Sequence, residues 1–401
     1  MRSCKLLAFG LALVLASSVT AETNQNSKKQ NPRPYARVTS IRPVVRDGWY
    51  NAWTDLIWWK DYFWLAHFRG MSHGISRNTT GRIAGNSFSV ILRSGDLRRW
   101  HEAQVFEPPG GIVDGSGADN AHFCATEDRL YAFFRVVAPE HQRQVWVSWT
   151  ENGVRWSEPQ VTTVGDDFPY IWRARRHNGK FYSATGEIVP GDESFQLIVS
   201  DDGIRWSRHA QISPSNARGF SAESELHWRP DGEMWCVIRT GGPAVLYCAK
   251  PPYVNWEETL VIHAGCDAPS ICESGGEVYL AGRAAASSMG LPNPDGTKPF
   301  ELQNTFSHPN HPNGPRVRWG TTGLYRLRRD RADLLVTMPP GADAAYPGLV
   351  SLEPGKLIMS YYSDVAYISG QIRLRHFPEY RYKESECDIY IAEIEVGEVF
   401  E

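Results

Sequence analysis

Ser94-Gly-Asp96-Leu-Arg-Arg99-Trp100 is a short polar turn closed by a tryptophan, and related turns follow three more times along the chain. They read Thr150-Glu-Asn152-Gly-Val-Arg155-Trp156, Ser200-Asp-Asp202-Gly-Ile-Arg205-Trp206 and, more loosely, Lys250-Pro-Pro-Tyr-Val-Asn-Trp256. The four tryptophans lie 56, 50 and 50 residues apart. A repeat of this length, built from strands and turns, is typical of a β-propeller with one blade per repeat.

A second periodic element sets the number of blades. Six segments read as an apolar strand, a polar turn and a second apolar strand, with Asn178-Gly179 and Asp231-Gly232 among the turns. They are residues 55–69, 122–135, 171–187, 223–239, 268–283 and 346–363. The sequence therefore predicts an all-β, six-bladed β-propeller in which blade five ends near residues 323–328. Residues 35–46 are expected to add a strand to the last blade and close the ring.

Composition and charge narrow the function classes. The chain has 401 residues, including 15 Trp, 17 Tyr and 16 Phe, and its formal net charge is −3. This charge argues against a nucleic-acid surface, so an anionic ligand would need a local arginine cluster. We expect one propeller domain over residues 35–401.

The N-terminal residues resemble a secretory signal. Arg2 and Lys5 precede a short apolar run, residues 6–14, and Val19-Thr-Ala21 offers a small-residue cleavage site. The run is too short to span a bilayer as a mature helix. The sequence predicts a signal peptide over residues 1–21, a disordered leader over 22–34 and a secreted or periplasmic protein without membrane insertion.

Cysteines and histidines give no metal or cofactor signal. Six cysteines remain after residue 21, and Cys236 with Cys248 or Cys266 with Cys272 are candidate disulfides in an exported chain. The alternative is that they are small buried hydrophobic residues. Their spacing fits no zinc site, and the His308/His311 pair lacks an acidic or thiol partner. We therefore expect neither a metal nor a cofactor.

Polar residues at hairpin ends are the candidates for chemistry, because loops at one rim of a propeller build its site. Glu223 and Arg239 bound hairpin four, Arg283 ends hairpin five and Tyr346 opens hairpin six. Arg69, Arg135 and Arg173 occupy comparable places in earlier blades. An arginine side chain offers a planar fork that matches a carboxylate and stays charged. A tyrosine is a weak nucleophile that a neighbouring carboxylate can deprotonate.

The turn repeats and this order of residues resemble the sialidase family and its Asp-box turns. Stretches such as Asn51-Ala-Trp-Thr-Asp55 and Tyr346-Pro-Gly-Leu are similar to those of bacterial secreted sialidase-like proteins, and the likeness covers residues 45–395. The resemblance implies a glycosidase in which Tyr346 is the nucleophile and Glu223 its base. It also implies that arginines hold the carboxylate of an acidic glycan, with the candidates being Arg69, Arg173, Arg239 and Arg283.

The acid that serves the leaving group is left open. Residues 70–86, where the family carries it, contain no acidic residue, so Asp55 or His73 is the candidate. A polysaccharide lyase acting on uronic acids is an alternative, with Tyr346, His73 or His122 abstracting the proton. A carbohydrate-binding propeller without catalysis is another.

Overall fold

A computed structural model describes the fold. It covers residues 33–70, 87–108, 116–137, 144–167, 169–186, 194–213, 223–240, 243–284, 321–339, 343–368, 371–374 and 387–399. The predicted signal peptide, nearly all of the leader, and His73 lie outside these ranges. Within them the secondary structure is all β, and no helix is long and apolar enough to cross a membrane.

The first three blades each run outward from a first strand that contacts the first strands of neighbouring blades. Blade one contains β2 (Tyr50–Trp59), β3 (Tyr62–Gly70), β4 (Phe88–Ser94) and β5 (His101–Phe106). Blade two contains β6 (Gly117–Ala125), β7 (Leu130–Val137), β8 (Gln144–Thr150) and β9 (Gln160–Val161). Blade three contains β11 (Arg175–His177), β12 (Lys180–Thr185), β13 (Phe195–Ser200) and β14 (Arg205–Ser213), with β10 (Thr163–Val164) at its outer edge.

The last three blades complete the ring, and the predicted count of six is confirmed. Blade four contains β15 (Ser224–Trp228), β16 (Met234–Ile238), β17 (Ala244–Ala249) and β18 (Glu257–Ile262). Blade five contains β19 (Asp267–Ser274), β20 (Glu277–Ala284), β21 (Thr321–Leu327) and β22 (Ala332–Thr337). Blade six contains β23 (Ala344–Glu353), β24 (Lys356–Ser363), β27 (Asp388–Val399) and β1 (Arg33–Val45), and a separate hairpin joins β25 (Val365–Ile368) to β26 (Gln371–Leu374).

Both ends of the described chain meet in blade six, as predicted. β1 pairs with β27 in antiparallel orientation from Arg33 to Val45, with register shifts between Val38 and Ser40 and between Pro43 and Val45. The prediction that blade five ends near residues 323–328 was wrong, because the blade continues beyond β21 with a fourth strand, β22. The turn between β21 and β22 is a backbone turn at Arg328 and Arg331 without a closing tryptophan, so the sequence signal was absent there.

The tryptophan-closed turns are held by side-chain-to-backbone hydrogen bonds. In the third turn Asp202 Oδ1 accepts the backbone N–H groups of Ile204 and Arg205, each at 2.8 Å. The indole of Trp206 donates to the carbonyl of Gly203 over 3.0 Å, and Gly203 has a positive φ of 78°. The aspartate thereby satisfies backbone donors that no strand partner reaches.

Large side chains pack between adjacent blades. Trp59 and Trp64 of blade one lie in the same apolar cluster as Phe123 and Phe134 of blade two. Burial of such aromatic surface is the main stabilising contribution in a fold whose blades share few backbone hydrogen bonds. The six cysteines after residue 21 are all free thiols, and five of them are buried, so the small-hydrophobic alternative holds.

Bulges in the first strands matter most for the site. Register shifts in β2, β6, β19 and β23 coincide with a non-glycine residue at positive φ: Trp53 at 51°, Asn120 at 49°, Ala268 at 51° and Tyr346 at 48°. A bulge leaves one residue without a partner and re-aims its side chain. Four of the six first strands therefore share a bulge that redirects a side chain.

Candidate active site

The predicted contact between Tyr346 and Glu223 is present. Tyr346 occupies the bulge of β23, and Glu223 directly precedes β15, two blades away in the ring. The phenol of Tyr346 donates a hydrogen bond to Glu223 Oε1 over 2.5 Å. Glu223 Oε2 accepts the backbone N–H of Ala268 at 2.8 Å, so a third blade fixes the carboxylate.

Two of the predicted arginines surround this pair. Arg239 Nη1 donates to the Tyr346 oxygen over 3.1 Å and also binds Glu223 Oε1. The Arg283 guanidinium lies over the ring of Tyr346, 5.3 Å from its centroid. Both arginine side chains are about one quarter exposed, so solvent and a ligand can reach them.

Sequence reasoning missed two carboxylates in the same place. Asp267 Oδ1 lies 3.2 Å from Arg239 Nε, and Asp267 Oδ2 lies 3.7 Å from Arg283 Nη1. Asp343 Oδ1 accepts hydrogen bonds from Arg283 Nη2 at 3.2 Å and from the Tyr362 phenol at 2.6 Å. The signal that could have found Asp267 is the repeat itself, because Asp267 is the cross-strand partner of Arg283.

The local electrostatics keep the phenol of Tyr346 protonated. Burial raises the pKa of Tyr346 well above its usual 10, and the charge of Glu223 raises it further, whereas Arg239 and Arg283 lower it. The resting state is therefore a neutral tyrosine that donates to a carboxylate. Glu223, which accepts the hydrogen bond of this phenol, is the group placed to accept its proton.

Aromatic rings form the wall behind Tyr346. The ring centroids of Trp172 and Tyr362 lie 5.6 and 5.9 Å from that of Tyr346, and that of Trp53 lies 6.3 Å away. Trp53 and Trp172 are buried. Such edge and tilted contacts restrict the Tyr346 ring and aim its oxygen at Glu223.

Arg173 does not lie with Arg239 and Arg283, contrary to the prediction that these arginines together hold a glycan carboxylate. Its side chain is fully buried, with Nη1 3.2 Å from Asp55 and 3.3 Å from Glu225, and Nη2 donates to the Pro347 carbonyl over 2.7 Å. These partners occupy its fork. The structure therefore places Arg173 among the groups that hold the first strands together, with no surface for an anionic ligand.

Asp55 belongs to the same buried cluster. Its carboxylate accepts the backbone N–H of Phe123 over 2.8 Å as well as facing Arg173. Burial alone would raise the pKa of Asp55, but the charge of Arg173 and the contact with His122 hold it below the usual range. A buried and firmly ionised carboxylate is poorly suited to donate a proton to a leaving group, which argues against the role predicted for Asp55.

Arg69 also lies away from the site, and the register gives the reason. The residue of β3 that corresponds to Arg239 and Arg283 is Phe68, one position earlier. Successive strand residues face opposite sides of a sheet, so a shift of one residue reverses the side chain. Arg69 accordingly pairs with Asp47 at 3.2 Å. The predicted role of His73 falls outside the described residues.

Metal ligation has no candidate in the described ranges, where no group of three or more His, Cys, Asp or Glu side chains is arranged to hold an ion.

No protein-family model and no curated protein matches the sequence. Solved structures do match the fold. A protein of unknown function from Dyadobacter fermentans is 15% identical with a TM-score of 0.63, over 90% of this chain and 99% of that one. The endosialidase of phage phi92 is 13% identical with a TM-score of 0.60, over 90% and 69%. A Trypanosoma rangeli sialidase solved with sialic acid is 11% identical with a TM-score of 0.55, over 89% of this chain and 57% of that one. At these identities the likeness shows the propeller fold alone.

Proposed function

We propose that this protein is a glycoside hydrolase in which Tyr346 is the nucleophile and Glu223 its general base. The observation that carries the proposal is the 2.5 Å hydrogen bond from the Tyr346 phenol to Glu223, beside two arginines. Neutral tyrosine is a poor nucleophile, and a carboxylate at hydrogen-bond distance is the group that can activate it.

The proposed reaction proceeds in two steps. The Tyr346 oxygen attacks the anomeric carbon as the glycosidic bond breaks, and the phenolic proton moves to Glu223. Arg239, 3.1 Å from the Tyr346 oxygen, stabilises negative charge on that oxygen as the bond forms and when it breaks again. Water then attacks the anomeric carbon, the bond from that carbon to the Tyr346 oxygen breaks, and Glu223 returns the proton to the phenol. The proton that the water loses passes to the group that protonated the leaving group. The leaving group also needs a proton, and His73 stays the predicted donor.

We further propose that the sugar is acidic and that the protein acts outside the cytoplasm. Arg239 and Arg283 support an anionic sugar, because a carboxylate is the group that an arginine fork binds best. The names of two structural neighbours, a sialidase and an endosialidase, agree with that class. Export rests on the predicted signal peptide alone.

The test is the replacement Tyr346→Phe, assayed on sialosides, uronosides and polysaccharides for new reducing ends. We expect kcat to fall by a factor of about 10³ or more, the loss typical of removing a catalytic nucleophile. The fold should persist, because Glu223 keeps Arg239 and the Ala268 N–H. Tyr361→Phe is the matched control, since Tyr361 is a buried tyrosine of β24 that stacks on Tyr390.

Two other results would redirect the assignment. Products that absorb in the ultraviolet as unsaturated uronides would identify a lyase. Glycan binding without turnover, unchanged in Tyr346→Phe, would identify a binding propeller and refute the hydrolase.

A further inference from the structure

The site contains more acidic than basic groups. Glu223, Asp267 and Asp343 contact two arginines, Arg239 and Arg283, so the formal charge of this group is −1 when all five are ionised. An incoming sugar carboxylate would add a second net negative charge in a partly buried space. Coulomb repulsion of this kind is strong where solvent screening is weak.

Asp267 already stands where a carboxylate ligand would bind. Its carboxylate lies 3.2 Å from Nε of Arg239 and 3.7 Å from Nη1 of Arg283, so it forms ion pairs with both arginines. The remaining polar atoms of Arg283 bind the Ala344 carbonyl, Asp343 and Tyr362. Because Arg283 Nη1 faces Asp267, a sugar carboxylate that bound this nitrogen together with Arg239 would compete with Asp267.

Blade two contains an aspartate–arginine pair that corresponds to Asp267 and Arg283 but is more tightly bound. Asp119 and Arg135 are cross-strand partners just as Asp267 and Arg283 are. There the carboxylate binds the guanidinium at two points, 2.7 and 2.6 Å, and is fully buried. In blade five the corresponding distance is 3.7 Å and the Asp267 side chain is 22% exposed. The blade-five pair is thus loosely held and open to solvent.

We propose that Asp267 is a specificity-determining residue. Its carboxylate pairs with Arg239 and Arg283, and a sugar carboxylate replaces it there only when Asp267 takes up a proton. This inference rests on the proposed function and assigns a proton to its substrate-binding step. The proton comes from solvent, forms a bond to an Asp267 oxygen and removes one negative charge, so the bound site keeps the same net charge as the free one. When two carboxylates share one site, the pKa of one of them rises strongly.

The surroundings of Asp267 already favour its protonated form. Burial raises the pKa of Asp267 above 3.8, while Arg239 and Arg283 oppose that rise and the charge of Glu223 supports it. A ligand that takes over the two arginines removes the opposing effect. The titratable and charged groups around Asp267 are Arg239, Arg283, Glu223, Asp343, Tyr346, Tyr362, Tyr325 and Cys266.

Calorimetry with N-acetylneuraminic acid tests the proposal. Titrations at one pH in buffers of different ionisation enthalpy should show uptake of about one proton per bound sugar at pH 7. The dissociation constant should then rise up to about tenfold per pH unit between pH 6 and 8. The methyl ester of the same sugar carries no charge, and its binding should show neither effect.

Variants assign the proton to a residue. Asp267→Asn should bind the acid more tightly than the wild type at pH 8, without proton uptake and without the pH slope, and Asp267→Ser should behave alike. The matched control Asp119→Asn opens the equivalent pair in blade two and should leave both effects intact.

Three outcomes would overturn the proposal: a wild-type affinity for the acid that is independent of pH, a slope that survives in Asp267→Asn, or no binding of the acid at all. If the pH dependence of the dissociation constant disappears in Glu223→Gln but persists in Asp267→Asn, the proton acceptor is Glu223 and the proposal for Asp267 is wrong. Turnover assays separate these failures from failure of the proposed function, because a hydrolase that depends on Tyr346 but does not bind the acid acts on an uncharged sugar.

Discussion

Gly348 lies where blade six meets blade one, and its replacement by alanine should damage both stability and activity. A methyl group on Gly348 would overlap the backbone nitrogen of Leu56 and would lie 2.6 Å from the Leu56 side chain and 2.8 Å from the carbonyl carbon of Asp55. Those atoms cannot move without disrupting other contacts, because Leu56 is paired within β2–β3 and Asp55 forms an ion pair with Arg173. One of the two blades has to move.

The expected cost is about 3 kcal/mol of unfolding free energy, at the upper end of the range for overpacked cores, since backbone is displaced. Tyr346 lies two residues before Gly348 on the same strand, so its oxygen should shift relative to Glu223. A misplacement of about 1 Å typically lowers turnover by a factor of about 10². Urea unfolding followed by tryptophan fluorescence measures the first effect. The second is measured as kcat on a glycan that the wild type cleaves in the screen of sialosides, uronosides and polysaccharides.

Gly95→Ala is the matched control, because a methyl group there meets only Tyr62, at an ordinary 3.9 Å. Its unfolding free energy should change by less than about 0.5 kcal/mol. If Gly348→Ala proves as stable and as active as Gly95→Ala, the tight approach of the two blades is not a constraint, and the reasoning is refuted.

Two further predictions concern the turns and the buried histidines. Asp202→Ala should cost about 1–2 kcal/mol, because two backbone N–H groups lose their acceptor, whereas the neighbouring exposed Asp201→Ala should cost less than about 0.5 kcal/mol in the same urea experiment. Burial lowers the pKa of His67, His122 and His227 to about 4, against about 6.5 in the unfolded chain, so the unfolded state binds more protons between these values. Stability should therefore fall as the pH is lowered from 6.5 to 4, and His122→Gln should make that fall shallower. Equal pH slopes for the variant and the wild type would show that His122 is not neutral in the folded state.

The fold could be predicted from the sequence because its signals are local. Both the turn that Asp202 stabilises and the alternation of apolar residues depend only on residues close together in the sequence. The pairing of Tyr346 with Glu223 was implied by the resemblance to sialidases, which rests on the order of these residues along the chain.

The rest of the site could not be predicted, because it depends on register. The end of a hairpin in the sequence does not show which residues pair across its two strands. Arg69 was chosen because it ends its hairpin, whereas Phe68, one residue nearer the turn, holds the corresponding place. Arg173 was misjudged for a different reason, since only the packing of three first strands against one another reveals that its partners are Asp55 and Glu225.

The pairing of β1 with β27 also constrains how the chain can be made. Arg46, next to the end of β1, is separated by 342 residues from its partner Asp388 in β27. At about 5–20 residues per second, β1 leaves the ribosome about 20–70 s before its partner is synthesised. During that interval it is an unpaired strand exposed to other chains. Arg37 and Arg42, which bind Glu395 and Glu393 in the finished sheet, then act as charged gatekeepers against premature association. The same two side chains thus protect the nascent strand first and fasten the completed ring afterwards.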